Sequence, residues 1–271
     1  MSDLSYLQYF LISIIFIWSG FVRSGLGFGG AVLSLPFLLM INNEPIVYLP
    51  IIAIHLLVFS SITVFKNNAA RFRAHRHASM PDKFPLQQGT AEEGTVNWGY
   101  LKKTSGVMII PMVIGVLGLI TLPDYLMSII IFSIVGFYSV TYILNKPFTS
   151  NSKILDNIFL AAGAYITGAS LIGAPLIITV FSRHVKITQL RDTLFVLWFV
   201  MVAVKMIAFI YAEVDLQLIH QIWLLPCAAL GNMFGLRFHD YIIKADTSIF
   251  FRVIGLALLT ISIIGLVQNL M

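Results

Sequence analysis

Charged side chains are scarce in this sequence of 271 residues. Asp, Glu, Lys and Arg make up 11% of it, whereas hydrophobic residues make up 58%. Water-soluble domains contain about 25% charged residues. A chain of this length cannot bury so much apolar surface in one water-soluble core. The composition therefore excludes a soluble enzyme, a disordered chain and a nucleic-acid-binding module, and we expect no nucleic-acid partner.

Cysteine is almost absent too, because Cys227 is the single cysteine. One cysteine excludes an internal disulfide, a CxxC redox pair and a cysteine-based metal site. The hydrophobic runs contain no other metal-ligand spacing, so we expect neither a metal nor a cofactor. His75 and His77 form a His-x-His pair, but arginines flank them, and we interpret them as part of a solvated basic stretch.

Long apolar runs are what the sequence does contain. Only helices and closed barrels satisfy every backbone polar group in lipid, and a barrel would show alternating segments of about ten residues. The runs here are continuous, and most approach the roughly 20 residues that span a bilayer. We therefore predict an all-α integral membrane protein. The runs are 4–41, 46–65, 104–122, 126–144, 155–182, 194–211, 218–236 and 250–270.

The charges between these runs predict a topology. Most Lys and Arg residues fall in four clusters, at 66–103, 146–153, 183–191 and 237–252. The other connections carry only acids. The positive-inside rule places the basic clusters, including a loop over 66–103, in the cytoplasm. We expect a bacterial inner-membrane protein with both termini in the periplasm. The acids in the connections without basic residues are Asp3, Glu44, Asp124, Glu213 and Asp215.

Two runs must begin and end on the same side of this topology. Run 155–182 has room for this only as two half-helices that meet near the midplane. Run 4–41 has room for either a half-helix hairpin or two full passes.

Glycine-rich stretches mark the reversals in both runs. Glycines five apart, Gly25 with Gly30 and Gly168 with Gly173, precede an alanine and a second apolar run. Glycine permits the backbone angles and close approach of a tight turn. Pro175 suits the first turn of a returning helix, where its missing N–H is not needed.

The two reversals divide the chain into similar halves, 1–145 and 153–271. Each half has one hairpin and three crossings, which is an odd number of changes of side. Two such membrane repeats in tandem must lie in opposite orientations. We therefore predict two inverted repeats, the plan of many secondary transporters, which bind substrate at the midplane where helices break.

The sequence resembles the sulfite exporter TauE/SafE family of membrane permeases. The resemblance rests on the stretch from Ser24 to Gly30 with Pro36, on the segment Gly168–Pro175, and on the Pro- and Gly-rich runs 104–122 and 218–236. It implies transport of sulfite, an organosulfonate or a related small anion across the bacterial inner membrane.

Two cations, Arg23 and Lys205, lie outside the basic clusters and within hydrophobic runs. Charges at such positions cost at least about 2.5 kcal/mol to insert and usually serve a function. The runs contain no central acid to pair with them, so the expected partner is an anion. Arg23 could instead snorkel to the surface, and Lys205 could pair with a carbonyl or a lipid headgroup.

Helix N-termini at the two reversals would add free N–H groups to this site. Polar side chains in the other runs are further candidates, and His55 could alternatively carry a coupling proton. The predicted substrate-binding residues are Arg23, Gly27, Gly29, Gly30, His55, Ser60, Ser170, Gly173, Lys205 and Asn232.

These features favour a secondary transporter that moves a small anion by alternating access and has no enzymatic activity. The sequence shows no nucleotide-binding domain, so the energy would come from a gradient or a partner. Two alternatives stay open at this point. One is a membrane enzyme for a sulfur-containing or lipid-linked substrate, with His55 and Lys205 as its protonatable pair. The other is a non-catalytic subunit of a membrane complex.

Overall fold

The computed structural model describes residues 4–26, 30–78, 95–146, 148–244 and 248–271. These ranges form ten helices and contain no β-strand, so the all-α prediction is confirmed. The helices are α1 (Tyr6–Leu26), α2 (Gly30–Ile41), α3 (Pro45–Ala78), α4 (Trp98–Thr121), α5 (Asp124–Ile143), α6 (Lys153–Ser170), α7 (Ala174–His184), α8 (Ile187–Tyr211), α9 (Leu218–Lys244) and α10 (Ser248–Leu270).

Six helices in the described ranges are long and apolar enough to cross a membrane. The candidate membrane spans lie within α1, α3, α4, α5, α8 and α10. Large apolar side chains on their outer faces are exposed, as on α4 at Ile110, Ile114 and Leu117. Exposed apolar surface of this extent is typical of contact with lipid. The fold is therefore consistent with a multi-pass membrane protein.

The first predicted hairpin consists of α1 and α2, which return to the same end of the molecule. The Gln8 side-chain amide donates a hydrogen bond of 3.2 Å to the Ile41 carbonyl, so the start of α1 meets the end of α2. With 12 residues, α2 is about 18 Å long and cannot cross a hydrocarbon core of about 30 Å. The run is therefore neither two half-helices nor two full passes, but one long helix and one short helix.

The second hairpin consists of α6 and α7 and closes in the same way. Asp156 in the first turn of α6 accepts hydrogen bonds from Arg183 at 3.1 Å and His184 at 2.8 Å at the end of α7. The two helices have 18 and 11 residues, so the predicted pair of half-helices consists of a longer and a shorter helix.

The break between α6 and α7 lies where the sequence predicts it, but its turn residue is not a glycine. Leu171 adopts the left-handed conformation with φ 62°. Gly168 lies inside α6, so its predicted role in the turn is wrong. Pro175 lies in the first turn of α7, as predicted.

Helix α1 packs along α9 through glycines on both helices. A Cβ atom built on Gly20 would lie 2.1 Å from the Ala228 carbonyl oxygen, and one on Gly231 would lie 1.8 Å from the Ile17 carbonyl oxygen. Neither position leaves room for a side chain. The glycines therefore allow the two backbones to approach closely, as small residues do between membrane helices.

Helix α4 packs along α6 with the same register. A Cβ on Gly168 would lie 2.2 Å from the Met112 carbonyl oxygen, and one on Gly115 would lie 2.2 Å from the Tyr165 carbonyl oxygen. The same geometry occurs in both helix pairs. The carbonyl oxygen that leaves no room for a Cβ on one glycine belongs to the residue three positions before the glycine of the opposite helix. The first helix of each half thus packs on the fourth helix of the other half. The inversion of the halves and their bounds, 1–145 and 153–271, stay predictions.

This shared register shows where the two halves differ. When α1 is aligned with α6 so that Gly20 corresponds to Gly168, Val22 corresponds to Ser170, which is the last residue of α6. Residues 23–26 thus extend α1 by about one turn beyond the point where α6 ends. Arg23 is the first residue of this extra turn.

The connections separate into an acidic and a basic end. Asn43 donates a hydrogen bond of 2.6 Å to Asn269 near the end of α10, and Glu44 lies near Asp124. These acidic connections and the end of α10 therefore lie at the same end of the molecule. At the other end the Asn97 amide donates a hydrogen bond of 2.9 Å to the Thr193 hydroxyl, near the start of α8. We call these the acidic end and the basic end.

The polar stretch 66–103, predicted to be a loop, is partly helical. Helix α3 continues to Ala78, so His75 and His77 lie on a helix, and α4 begins at Trp98. The Asn97 side chain caps α4 by accepting a hydrogen bond of 3.0 Å from the Tyr100 amide. The loop prediction is therefore wrong for 66–78 and 98–103.

Candidate functional site

Arg23 and both helix breaks line one internal cavity of about 30 Å³, which we call the central cavity. Helices α1, α2, α3, α6, α7 and α8 all contribute to its wall. The residues that line it are Arg23, Gly30, Ala31, Val32, Leu56, Thr167, Leu171, Ala174, Phe195, Trp198 and Val202.

Arg23 is buried with unused hydrogen-bonding capacity. Only 5% of its surface is exposed, and its Nε and Nη2 atoms have no hydrogen-bond partner among the residues that the structure describes. Its Cζ atom lies 4.2 Å from the centre of the Phe59 ring, a cation–π arrangement. A buried cation that lacks an acidic partner is costly, so its retention indicates a function that requires the charge.

Two helix N-termini face the same cavity. Gly30, Ala31 and Val32 begin α2, and Ala174 begins α7. The first N–H groups of a helix have no partner within it and carry a partial positive charge. The Gly30 carbonyl accepts hydrogen bonds from the Ser19 and Ser34 hydroxyls, which fix the start of α2. The cavity therefore attracts negative charge from three directions.

A smaller cavity of about 10 Å³ lies beside Arg23 and brings in a second arginine. Its polar residues are Arg23, Ser24, Asn232 and Arg191. Ser24 donates a hydrogen bond to the Asn232 side chain, and the Nε atom of Arg191 is buried without a partner. Arg191 belongs to a basic cluster predicted to be cytoplasmic, so it is absent from the predicted site residues. No sequence signal separates it from its basic neighbours.

Lys205 lies further along the same face of α8. Its side chain is 0% exposed, its Nζ atom has no hydrogen-bond partner, and this atom lies 5.5 Å from the centre of the Phe209 ring. It follows Val202 by three residues, but it is not among the residues that line the central cavity. Arg191 and Lys205 are 14 residues apart, about 21 Å along the helix. Arg23 lies opposite the stretch between them.

His55 and Ser60 belong to the buried face of α3. The His55 ring lies 4.9 Å from the Phe16 ring and 6.3 Å from the Phe59 ring, centre to centre. Phe59 thus contacts both His55 and Arg23. The Ser60 hydroxyl is buried without a hydrogen-bond partner. Neither residue lines the central cavity.

Ser170 and Gly173 flank the break between α6 and α7. The Ser170 hydroxyl donates a hydrogen bond of 2.8 Å to the Ile166 carbonyl, within its own helix. A Cβ on Gly173 would lie 1.9 Å from the Gly163 carbonyl oxygen, so this glycine lets α7 start against α6. Gly27 and Gly29, also predicted site residues, lie outside the described residues.

The contact between α6 and α7 at the basic end depends on the charge of Asp156. Burial raises the pKa of this carboxyl group, but hydrogen bonds from Ser150 and His184 and the positive charge of Arg183 outweigh that effect. The net result is a pKa below the usual 3.8. The carboxylate is therefore charged at neutral pH.

We expect acid to release this contact. A depressed pKa adds stability above the unfolded value of 3.8, and the stability is lost as the pH falls through the folded pKa. The Tm of wild type should exceed that of Asp156→Asn at neutral pH. The difference should vanish once the pH is below the pKa of Asp156 in the folded protein. Thermal unfolding across a pH series measures it, with Glu213→Gln at an exposed site as control. A difference that persists in acid would contradict the assignment.

The central cavity is closed in this conformation. About 10–15 Å³ holds one water molecule on this measure, so the cavity has room for about two.

Comparison with known proteins identifies no relative: no family model, no curated protein and no solved structure matches this chain. The resemblance to the TauE/SafE family therefore rests on the motif residues alone.

Proposed function

We propose that this protein is a secondary transporter for a small anion, as in the TauE/SafE permeases that its motifs resemble. The observation that carries the proposal is the buried guanidinium of Arg23 beside the starts of α2 and α7, with its Nε and Nη2 atoms unpaired among the described residues. Guanidinium groups and helix N-termini bind oxyanions through directed N–H groups. The preferred substrates are sulfite and small organosulfonates.

Two further cations support an anion pathway. Arg191 lies between the basic end and Arg23, and Lys205 lies beyond the central cavity along α8. Both belong to one face of the helix, and the residues that line the two cavities include no Asp or Glu. The positive charge around the site would repel a cation, whereas it would attract an anion toward Arg23.

The closed cavity and the two hairpins support alternating access. The site lies between α1–α2 of one half and α6–α7 of the other, so a shift between the halves would open it toward one end at a time. An ion or proton gradient would supply the energy. His55 and Lys205, the pair that an enzyme would need, do not line a common cavity among those described.

A flux measurement tests this function. Purified protein in liposomes should move sulfite and methanesulfonate down a concentration gradient at least tenfold faster than protein-free liposomes. Choline, a cation of similar size, should not move. The solute should be recovered unchanged. Absence of anion flux, or conversion of the solute to a new product, would overturn the proposal.

A further inference from the structure

A second and much larger cavity lies at the basic end, on the side of α7 that faces α5 and α10. Its volume is about 660 Å³. Helix α7 contributes residues spaced by three and four positions, which form one face of the helix. They are Pro175, Ile178, Thr179, Ser182 and Arg183.

The wall of this cavity combines apolar and hydrogen-bonding side chains. Its apolar part includes Tyr142, Phe148, Ile178 and Phe251. Hydroxyl groups come from Thr179 and Ser182 on α7 and from Thr141 at the end of α5, and amides come from Asn145 and Asn151. The Arg183 charge is offset by its ion pair with Asp156. The neutral hydrogen-bonding groups in this wall can solvate water and a passing polar solute without holding a charge tightly.

The corresponding face of α2 has the opposite character. Matching Gly30-Ala31 with Gly173-Ala174 pairs Leu35 with Ile178 and Leu39 with Ser182. Leu35 is 0% exposed and Leu39 is 3% exposed, because α2 packs against α5 and α10 in the apolar core. The corresponding face of α7 lines the large cavity instead of packing against other helices. The space beside α7 is thus open, whereas the equivalent space beside α2 is filled by apolar side chains.

The cavity leads toward the anion site. Pro175 lines the large cavity, and its neighbour Ala174 lines the central cavity that contains Arg23. The first turn of α7 is therefore the partition between the two spaces. A small displacement of this short helix would join them.

We propose that the large cavity is an aqueous vestibule through which a small anion passes between the basic end and Arg23, with the first turn of α7 as its gate. The inference rests on the proposed transport function for the identity of the solute. The water-filled state of the vestibule does not depend on that function, and the two are tested separately.

Cysteine labelling tests the vestibule without any transport measurement. In a Cys227→Ser background, Ile178→Cys and its counterpart Leu35→Cys are compared in vesicles with a membrane-impermeant methanethiosulfonate reagent. Because buried thiols are inert, we expect the variant at 178 to react at least about tenfold faster. The reagent should act only from the basic end. Equal rates for the two variants, or reaction from the other end, would overturn the proposal. Reaction in detergent but not in vesicles would also overturn it, because it would mean that lipid fills the space.

A filling substitution tests the route. The double variant Thr179→Leu and Ser182→Leu gives α7 side chains like those of α2. We expect it to lower sulfite flux at least tenfold, whereas sulfite should still raise its Tm as in wild type. Wild-type flux in this variant would overturn the vestibule as the route. If the wild-type protein itself moves no anion, the proposed function fails, but the labelling contrast still decides whether the cavity holds water.

Discussion

Arg23→Met is expected to slow transport strongly while making the protein more stable. Charge-assisted hydrogen bonds contribute about 1.5–3 kcal/mol each, so the loss of the guanidinium should lower sulfite flux about 10- to 100-fold. In the absence of substrate, the Nε and Nη2 atoms of the buried Arg23 have no hydrogen-bond partner in the described part of the chain. A well-packed apolar side chain in place of buried charge often stabilises a protein by about 1–4 kcal/mol. We therefore expect a higher Tm in detergent.

Two controls separate binding from structure in this experiment. Lys102→Met removes an exposed cation on α4 and should leave both flux and Tm unchanged. Sulfite should raise the Tm of wild type and of this control but not that of Arg23→Met. A lower Tm for Arg23→Met would show that the guanidinium has a structural partner, and the anion site would then be wrong.

Gly115→Ala is expected to destabilise the protein strongly, whereas Gly106→Ala on the same helix is not. The added methyl at 115 would lie 2.2 Å from a backbone carbonyl of α6, and nothing lies within 4 Å at 106. Overpacking costs about 1–3 kcal/mol, and a rigid backbone oxygen leaves little room for relief. At 106 the exchange should stabilise the helix by up to about 1 kcal/mol.

The comparison is made by unfolding both variants in detergent and measuring their sulfite flux. Gly231→Ala on α9 should behave like Gly115→Ala, because its Cβ would lie 1.8 Å from the Ile17 carbonyl oxygen. Similar Tm values for the variants at 106 and 115 would contradict the close packing of α4 on α6.

The sequence was sufficient to predict where the chain reverses, but not which residue adopts the left-handed conformation between α6 and α7. The clusters of glycine with Pro175 located both breaks, because such residues interrupt helices. Gly20 and Gly168 have the same local sequence signals, yet they serve close helix packing. The distinction depends on a partner helix distant in the chain. Leu171, which adopts the left-handed angle, carries no sequence signal for it.

The site shows the same limit. Arg23 could be singled out because a lone cation in an apolar run is costly. Arg191 could not, because its basic neighbours are typical of a cytoplasmic connection. Its position beside Arg23 depends on the packing of α8 against α3, a contact between segments distant in the chain. The length of α3 was missed for a similar reason, since the polar residues after 65 gave no apolar periodicity that would indicate a helix.

The exchange of partners between the halves sets the order in which the chain can assemble. Helix α4 meets α6 after only one intervening helix, so this pair forms early as the ribosome delivers the chain. Helix α6 is not among the six strongly apolar helices, and a preformed α4 would help to retain it in the bilayer. Helix α1 must wait for α9, because seven helices lie between the two in the chain. Until then its glycine face has no neighbour, so a nascent or truncated chain should depend on lipids or chaperones to shield that surface.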